Sequence, residues 1–247
     1  MPGLRPDVDP DGLLEYSVVY TDRTLNHMSQ KFQQVMNDIS AILKRAYNAR
    51  AAIIVPGGGT FGMEAVARQF ATGQKVMVIR NGWFSYRWTQ IFETGGIPAE
   101  EIVLKAQRIP GDRQAPHPES AQRPFAPPAI EQVAAAIRDK RPALVFAPHV
   151  ETSSGILLPD NYLRAVADAV HAVGGMLVLD CVASGAMWVD MQATGVDVLI
   201  SAPQKGWSGP AGCALVMLND TARARIDATT SSATSTPFLR RPAIMVR

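Results

Sequence analysis

Lys205 lies in Ser201-Ala202-Pro203-Gln204-Lys205-Gly206-Trp207, directly after the apolar run Val196-Asp197-Val198-Leu199-Ile200. That run reads as a buried strand, so the lysine falls just past a strand end. A second apolar run, Met176-Leu177-Val178-Leu179, ends in Asp180. A primary amine and a carboxylate at neighbouring strand ends have a joint use. The amine can condense with an aldehyde, and the carboxylate can keep a pyridine nitrogen protonated, which is what pyridoxal 5′-phosphate asks of a protein. Taken singly, a surface lysine and a strand-terminal aspartate are the simpler readings. The other motifs shift the balance.

Pro56-Gly57-Gly58-Gly59-Thr60-Phe61-Gly62-Met63-Glu64-Ala65 joins a strand to a helix. Glycines let the backbone approach an anion, and a helix start offers free N–H groups with a favourable dipole. A dinucleotide site is the competing use, but the spacing departs from G-x-G-x-x-G and no acidic residue closes the following strand. The turn reads as a phosphate cup. Asn81-Gly82-Trp83-Phe84-Ser85-Tyr86-Arg87-Trp88 holds four aromatics in eight residues. One could stack on a ring, while core packing is expected of most. His149-Val150-Glu151-Thr152-Ser153-Ser154-Gly155 offers hydroxyls and a carboxylate, or simply turn and capping residues. In open α/β sheets ligands bind beyond the carboxyl ends of the strands. The glycine turn, the aromatic turn, Thr152, Asp180 and Lys205 all fall there.

The elements that position these residues alternate. Strand candidates are Ala51–Val55, Lys75–Ile79, Glu101–Leu104, Ala143–Ala147, Met176–Leu179, Val196–Ser201 and Ala211–Leu218. Between them lie helix candidates at Phe61–Phe70, Phe84–Thr94, Ala129–Ile137 and Asn161–Val173, the last with Asp160 as N-cap and Gly174 at its stop. Alternation with strands apolar on both faces predicts an α/β fold, a mostly parallel sheet between helices. Met28–Ala46 shows helical spacing of Phe32, Val35, Met36, Ile39, Ile42 and Leu43. Arg108–Pro128, with six prolines, reads as an exposed excursion.

With these residues in place, the chain resembles the class V aminotransferases of PLP fold type I, nearest the alanine–glyoxylate and serine–glyoxylate (serine–pyruvate) branch. The resemblance runs from about Leu25 to about Asp227. It rests on Asn26-His27-Met28-Ser29, Gly57-Gly58-Gly59-Thr60 with Met63-Glu64-Ala65, Asn81-Gly82-Trp83-Phe84, Glu151-Thr152-Ser153-Ser154-Gly155, Asp180-Cys181-Val182-Ala183-Ser184 and Gln204-Lys205. It implies a seven-stranded large domain that binds pyridoxal 5′-phosphate. Lys205 would be the Schiff-base lysine and proton shuttle, and Asp180 would pair with the pyridinium. Val182 would pack under the ring, Phe84 would stack over it, and Thr152 would bond near the phenolic oxygen. Gly58, Gly59, Thr60 and Gln204 would hold the phosphate. A reacting lysine must be neutral, which burial beside a cationic ring favours. The implied reaction moves the amino group of a small amino acid, alanine or serine, to a 2-oxo acid, glyoxylate or pyruvate, in a homodimer.

Family members continue into a small domain carrying an arginine for the substrate carboxylate. The chain is therefore divided into an arm and helix (1–50), a cofactor-binding large domain (51–228) and a tail (229–247), as if truncated, with Arg240 or Arg241 as substitute carboxylate contacts. A net charge of +2 with scattered basic residues points to no nucleic-acid partner. No apolar run reaches membrane-spanning length, and the start lacks a signal-peptide core. Cys181 and Cys213 read as reduced core thiols, which with the rest predicts a cytoplasmic protein. The four histidines show no metal-ligand spacing, His171 reading as a helix-end residue, and Ser153 and Ser154 lack a hydrolase setting. Two alternatives stand: a cysteine desulfurase-like lyase, and a cofactor-binding fragment without catalysis.

Overall fold

The computed structural model describes residues 30–109 and 123–228. The readings on 1–29, including Asn26-His27-Met28-Ser29, on 110–122, and on the tail with Arg240 and Arg241 lie outside the described residues.

In chain order the elements begin with α1 (Gln30–Tyr47), β1 (Ala51–Pro56), α2 (Gly59–Phe70), β2 (Lys75–Arg80), α3 (Tyr86–Gly95) and β3 (Glu100–Lys105). There follow β4 (Gln107–Arg108), β5 (Phe125–Ala126), α4 (Ile130–Lys140), β6 (Leu144–Pro148), β7 (Val150–Glu151) and β8 (Ile156–Leu157). The described part closes with α5 (Asp160–His171), β9 (Met176–Asp180), α6 (Met191–Thr194), β10 (Val198–Ser201), β11 (Cys213–Leu218) and α7 (Asp220–Ala228).

The main sheet has seven strands in the order β1-β11-β10-β9-β6-β2-β3. The pairs from β10 through β9, β6 and β2 to β3 are parallel, while β11 runs antiparallel to both β1 and β10. Six strands therefore point the same way, and their carboxyl ends share one edge. Residue parity divides the strands between two cores. Val76, Val78, Phe146, Val178 and Ile200 face α2, α3 and α7, whereas Met77, Ile79, Val145, Leu177 and Leu199 face α1, α4 and α5. Each fully buried side chain of this size contributes about 1.5–3 kcal/mol, and a strand buried on both faces gathers it at every position. This is why the runs are continuously apolar rather than alternating. The α/β class and the mostly parallel seven-stranded sheet are as expected from the sequence.

Local differences have physical causes. Helix α2 starts at Gly59, inside the glycine run, so the turn's amides are the first amides of the helix. Helix α3 starts at Tyr86, and Phe84 lies in the turn before it. Asp160 does not cap α5. Pro159 takes the N-cap position, its carbonyl accepting from Tyr162 and Leu163 N–H, and Asp160 is the first helical residue. The cap that the sequence reading missed is Asp190, which accepts from Gln192 and Ala193 N–H at the start of α6. The described ends of the excursion pair with each other as β4 and β5, in a two-stranded sheet of their own. Of the four clustered aromatics only Trp88 joins the core, against Phe92 and Phe146. Trp83 and Phe84 are 60% and 49% exposed, contrary to the expectation that most would pack inside.

Candidate active site

Segments following β1, β2, β6, β9 and β10 enclose a cavity of about 460 Å³. Eight of the nine predicted site residues line it: Gly59, Thr60, Phe84, Thr152, Asp180, Val182, Gln204 and Lys205. The ninth, Gly58, is the N-cap of α2 beside it.

The α2 start is an oxyanion seat. Gly58 is extended and has no side-chain cap, and its carbonyl accepts from Phe61 N (2.9 Å) and Gly62 N (3.3 Å). The N–H groups of Gly59 and Thr60 have no acceptor among the described residues, and they sit at the positive end of the helix dipole. Gly59 is fixed by sterics, since a methyl group there would come within 2.9 Å of Val182 Cγ2. The same contact brings the seat onto the cavity floor.

Asp180 forms that floor. It ends β9 between Pro148 and Ile200 of the flanking strands, and only 8% of it is exposed. One oxygen, Oδ1, accepts from Val182 N at 2.9 Å, and no ion pair is made among the described residues. Burial pushes the carboxyl up to about 6, against the Val182 hydrogen bond and with help from the nearby charge of Glu151. A buried carboxylate on a cavity wall with no cation of its own calls for a cationic ligand atom. Its loop is held from behind by His149, a residue the sequence reading passed over. His149 N donates to the Asp180 carbonyl at 2.9 Å, and Nδ1 meets Ser184 Oγ at 2.7 Å. Burial lowers the pKa of this imidazole, which suits a neutral structural partner.

Lys205 rides a tight turn after β10, with Lys205 N bonded to the Ala202 carbonyl and Gly209 N to the Pro203 carbonyl. Two contacts fix that turn. Gly206 presses on the Gly185 carbonyl, leaving no room for a side chain. Trp207 packs against Trp188 with centroids 4.5 Å apart and donates Nε1 to Tyr47 Oη at 3.1 Å. Lys205 itself is exposed, not buried as expected beside a ring, and it makes no ion pair among the described residues.

Glu151 is the main feature that sequence reasoning missed. It is fully buried, and its carboxylate accepts from Phe84 N (3.1 Å), Ser85 N (2.8 Å), Ser85 Oγ (2.7 Å) and Ser153 Oγ (2.6 Å). Burial works against its ionisation, but the Ser153, Ser85 and Phe84 hydrogen bonds outweigh that and hold the carboxyl below its ordinary range. Ser153 Oγ also accepts from Trp83 N at 2.8 Å. Gly82 is needed because a side chain there would run into Ser153 and Glu151. One carboxylate thus ties the turn bearing Phe84 to the turn bearing Thr152. An acidic residue between an apolar strand and three hydroxyl-bearing neighbours was the available signal.

Cys181 is buried, Cys213 is half-buried, and neither lines the cavity. Burial pushes both thiols up, the reverse of an activated nucleophile. Among the described residues no acidic, histidine or cysteine cluster could hold a metal, and no helix is long and apolar enough to cross a membrane.

Residues 122–238 match the family model described as aminotransferase class-V. The alanine–glyoxylate aminotransferase of Rattus norvegicus is 26% identical over 208 residues, which is 83% of this chain and 45% of the relative. A protein described as the soluble hydrogenase small subunit of a Synechococcus species is 31% identical over 199 residues, 79% of this chain and 47% of the relative. The chain spans about half the length of these curated relatives. The crystal structure of an alanine–glyoxylate aminotransferase from Nostoc sp. has the same fold, with a TM-score of 0.72 over 89% of this chain and 55% of that one, at 22% identity. The chain carries a class V aminotransferase domain, of a family whose cofactor is pyridoxal phosphate.

Proposed function

We propose that this chain is the cofactor-binding part of an aminotransferase that moves the amino group of a small amino acid, alanine or serine, to glyoxylate or pyruvate. The observation that carries the proposal is the buried, cation-free carboxylate of Asp180 in a cavity that also holds Lys205 and the free α2 amides. These features match the three demands of pyridoxal phosphate: a counter-charge for its ring nitrogen, an amine for its aldehyde and donors for its phosphate. The choice of alanine and glyoxylate is supported by the similarity to the rat alanine–glyoxylate aminotransferase.

When bound, the cofactor supplies an electron-withdrawing ring conjugated to the substrate's α-carbon. The residues of the chain do the rest. Asp180 holds a proton on the ring nitrogen, its own raised proton affinity being offset by that cation. Gly58, Gly59, Thr60 and Gln204 would hold the phosphate, Val182 and Phe84 would lie against the ring, and Thr152 would bond near its phenolic oxygen. Lys205, exposed at the cavity, would take a proton from the substrate α-carbon and return it two atoms along, on the far side of the nitrogen, a 1,3-shift. The exposed Phe61, Trp83 and Phe84 near the cavity support a homodimer that covers its rim. The free thiols agree with a reducing, cytoplasmic setting.

The test loads the chain with pyridoxal phosphate, adds alanine or serine without an acceptor, and measures the 2-oxo acid released. One equivalent per bound cofactor, with a matching change in cofactor absorbance, is the expected result. No release from either amino acid by a cofactor-loaded chain would overturn the reaction assigned.

A further inference from the structure

Arg87 is the second residue of α3, is half-buried, and lines the same cavity as Asp180 and Lys205. Nearby arginines are engaged: Arg68 pairs with Glu64 at 2.8 Å, and Arg80 lies over the Tyr86 ring, 5.0 Å from its centroid. Arg87, by contrast, makes no side-chain hydrogen bond, ion pair or ring contact among the described residues. Its backbone is well placed, because Arg87 N donates to the Phe84 carbonyl at 3.1 Å and Phe84 N is bonded to Glu151. The guanidinium therefore projects from a turn anchored by a buried carboxylate. A partly desolvated guanidinium without a partner is a preformed half of a bidentate oxyanion contact.

Charge balance leads to the same residue. On the reading proposed above, Lys205 must be neutral to react and the charge of Asp180 is cancelled by a ring nitrogen. The α2 amides and Gln204 carry no net charge. A phosphate and a substrate carboxylate then enter a cavity whose one permanently charged lining cation, among the described residues, is Arg87. We infer that Arg87 is an oxyanion-binding residue of this cavity, gripping the phosphate of the cofactor or the carboxylate of the amino acid. The identities of these ligands rest on the proposed function; the anion site does not.

The experiment uses the full chain as wild type, Arg87→Gln, Arg87→Lys and, as a surface control, Arg164→Gln, whose parent side chain pairs with Asp168 away from the cavity. Four probes are titrated: inorganic phosphate, pyridoxal phosphate, pyridoxal without its phosphate, and propionate added to the cofactor-loaded chain. Binding is read by thermal shift and tryptophan fluorescence, with circular dichroism to verify the fold. Arg87→Gln should weaken one anion on the order of 10- to 100-fold, the usual loss for a charged hydrogen bond. Arg87→Lys should fall between, and Arg164→Gln should match wild type. Weaker pyridoxal phosphate with unchanged pyridoxal identifies the phosphate; weaker propionate with unchanged cofactor affinity identifies the carboxylate. Arg87-dependent phosphate binding by a chain that takes no cofactor would leave this site standing and sink the cofactor reading. Inorganic phosphate, pyridoxal phosphate and propionate all within about twofold of wild type in a folded Arg87→Gln chain would overturn the inference. If that variant does not fold, unchanged affinities in Arg87→Lys overturn it equally, because lysine cannot reproduce the fork.

Discussion

Replacing Asp180 with asparagine should stabilise the cofactor-free chain at neutral and alkaline pH while impairing cofactor binding. In the fold the carboxyl is pushed up to about 6 from an ordinary value of 3.8, chiefly by burial. A raised folded pKa means that protonation favours the folded state. The benefit is complete below pH 3.8 and is lost as pH rises through about 6, so above that the ionised carboxylate burdens the fold. A gap of about two pH units corresponds to about 3 kcal/mol. An asparagine keeps an oxygen for Val182 N–H but brings a partly buried amide, which reduces the net gain to about 1–2 kcal/mol. For a chain of this size that is a rise in Tm of about 2–8 °C at pH 8, shrinking to nothing at about pH 5 and reversing below it, where the amide cost remains and the charge burden is gone. Thermal melts of both chains across that range give the answer. Adding pyridoxal phosphate at pH 8 should reverse the order, because only the carboxylate gains a cationic partner. A Tm difference that does not change with pH, or a wild type that is more stable at pH 8 without cofactor, would refute the reasoning.

Other outcomes follow from the same geometry. Glu151→Gln should cost about 2–3 kcal/mol at pH 7, because one amide group must face donors that now meet a carboxylate. Since the folded carboxyl of Glu151 lies below its ordinary 4.5, the wild-type advantage is present above pH 4.5 and closes as pH falls through the depressed value, which urea titrations at pH 7 and pH 3.5 can measure. His171 bonds Asp197 at 2.7 Å, and that hydrogen bond raises the imidazole above its ordinary 6.5. Its stabilisation is complete below pH 6.5 and lost as pH climbs through the raised value, so His171→Gln should flatten the fall in Tm across that window. An unchanged Tm profile in the variant would show that the pair contributes nothing.

What the sequence disclosed and what it hid divide along physical lines. Strands buried on both faces leave continuous apolar runs, and the residue after each run sits at the ligand edge of the sheet. Asp180, Lys205, Thr152 and the glycine turn were legible for that reason. Register and long-range pairing leave no such mark. Nothing local in Glu151 announces that it bonds Ser85, 66 residues away, nor that His171 reaches Asp197. The start of α2 was set two residues late because glycine is a poor helix former in the chain yet fits where the helix touches Val182. Arg87 stood unremarked within the aromatic turn, because its place depends on a cavity formed by other segments. The exposure of Trp83 and Phe84 likewise depends on the cavity and its rim, not on their own composition.

The central claim is that Lys205 is the amine that reacts with the cofactor. Borohydride reduction of the chain loaded with pyridoxal phosphate, followed by peptide mapping, tests it directly. The account predicts one pyridoxyl group on the peptide bearing Gln204-Lys205-Gly206, and a Lys205→Ala chain that still binds the cofactor reversibly through the α2 seat but retains no label after reduction. A pyridoxyl group on Lys75, Lys105 or any other lysine, or undiminished labelling of Lys205→Ala, would contradict it.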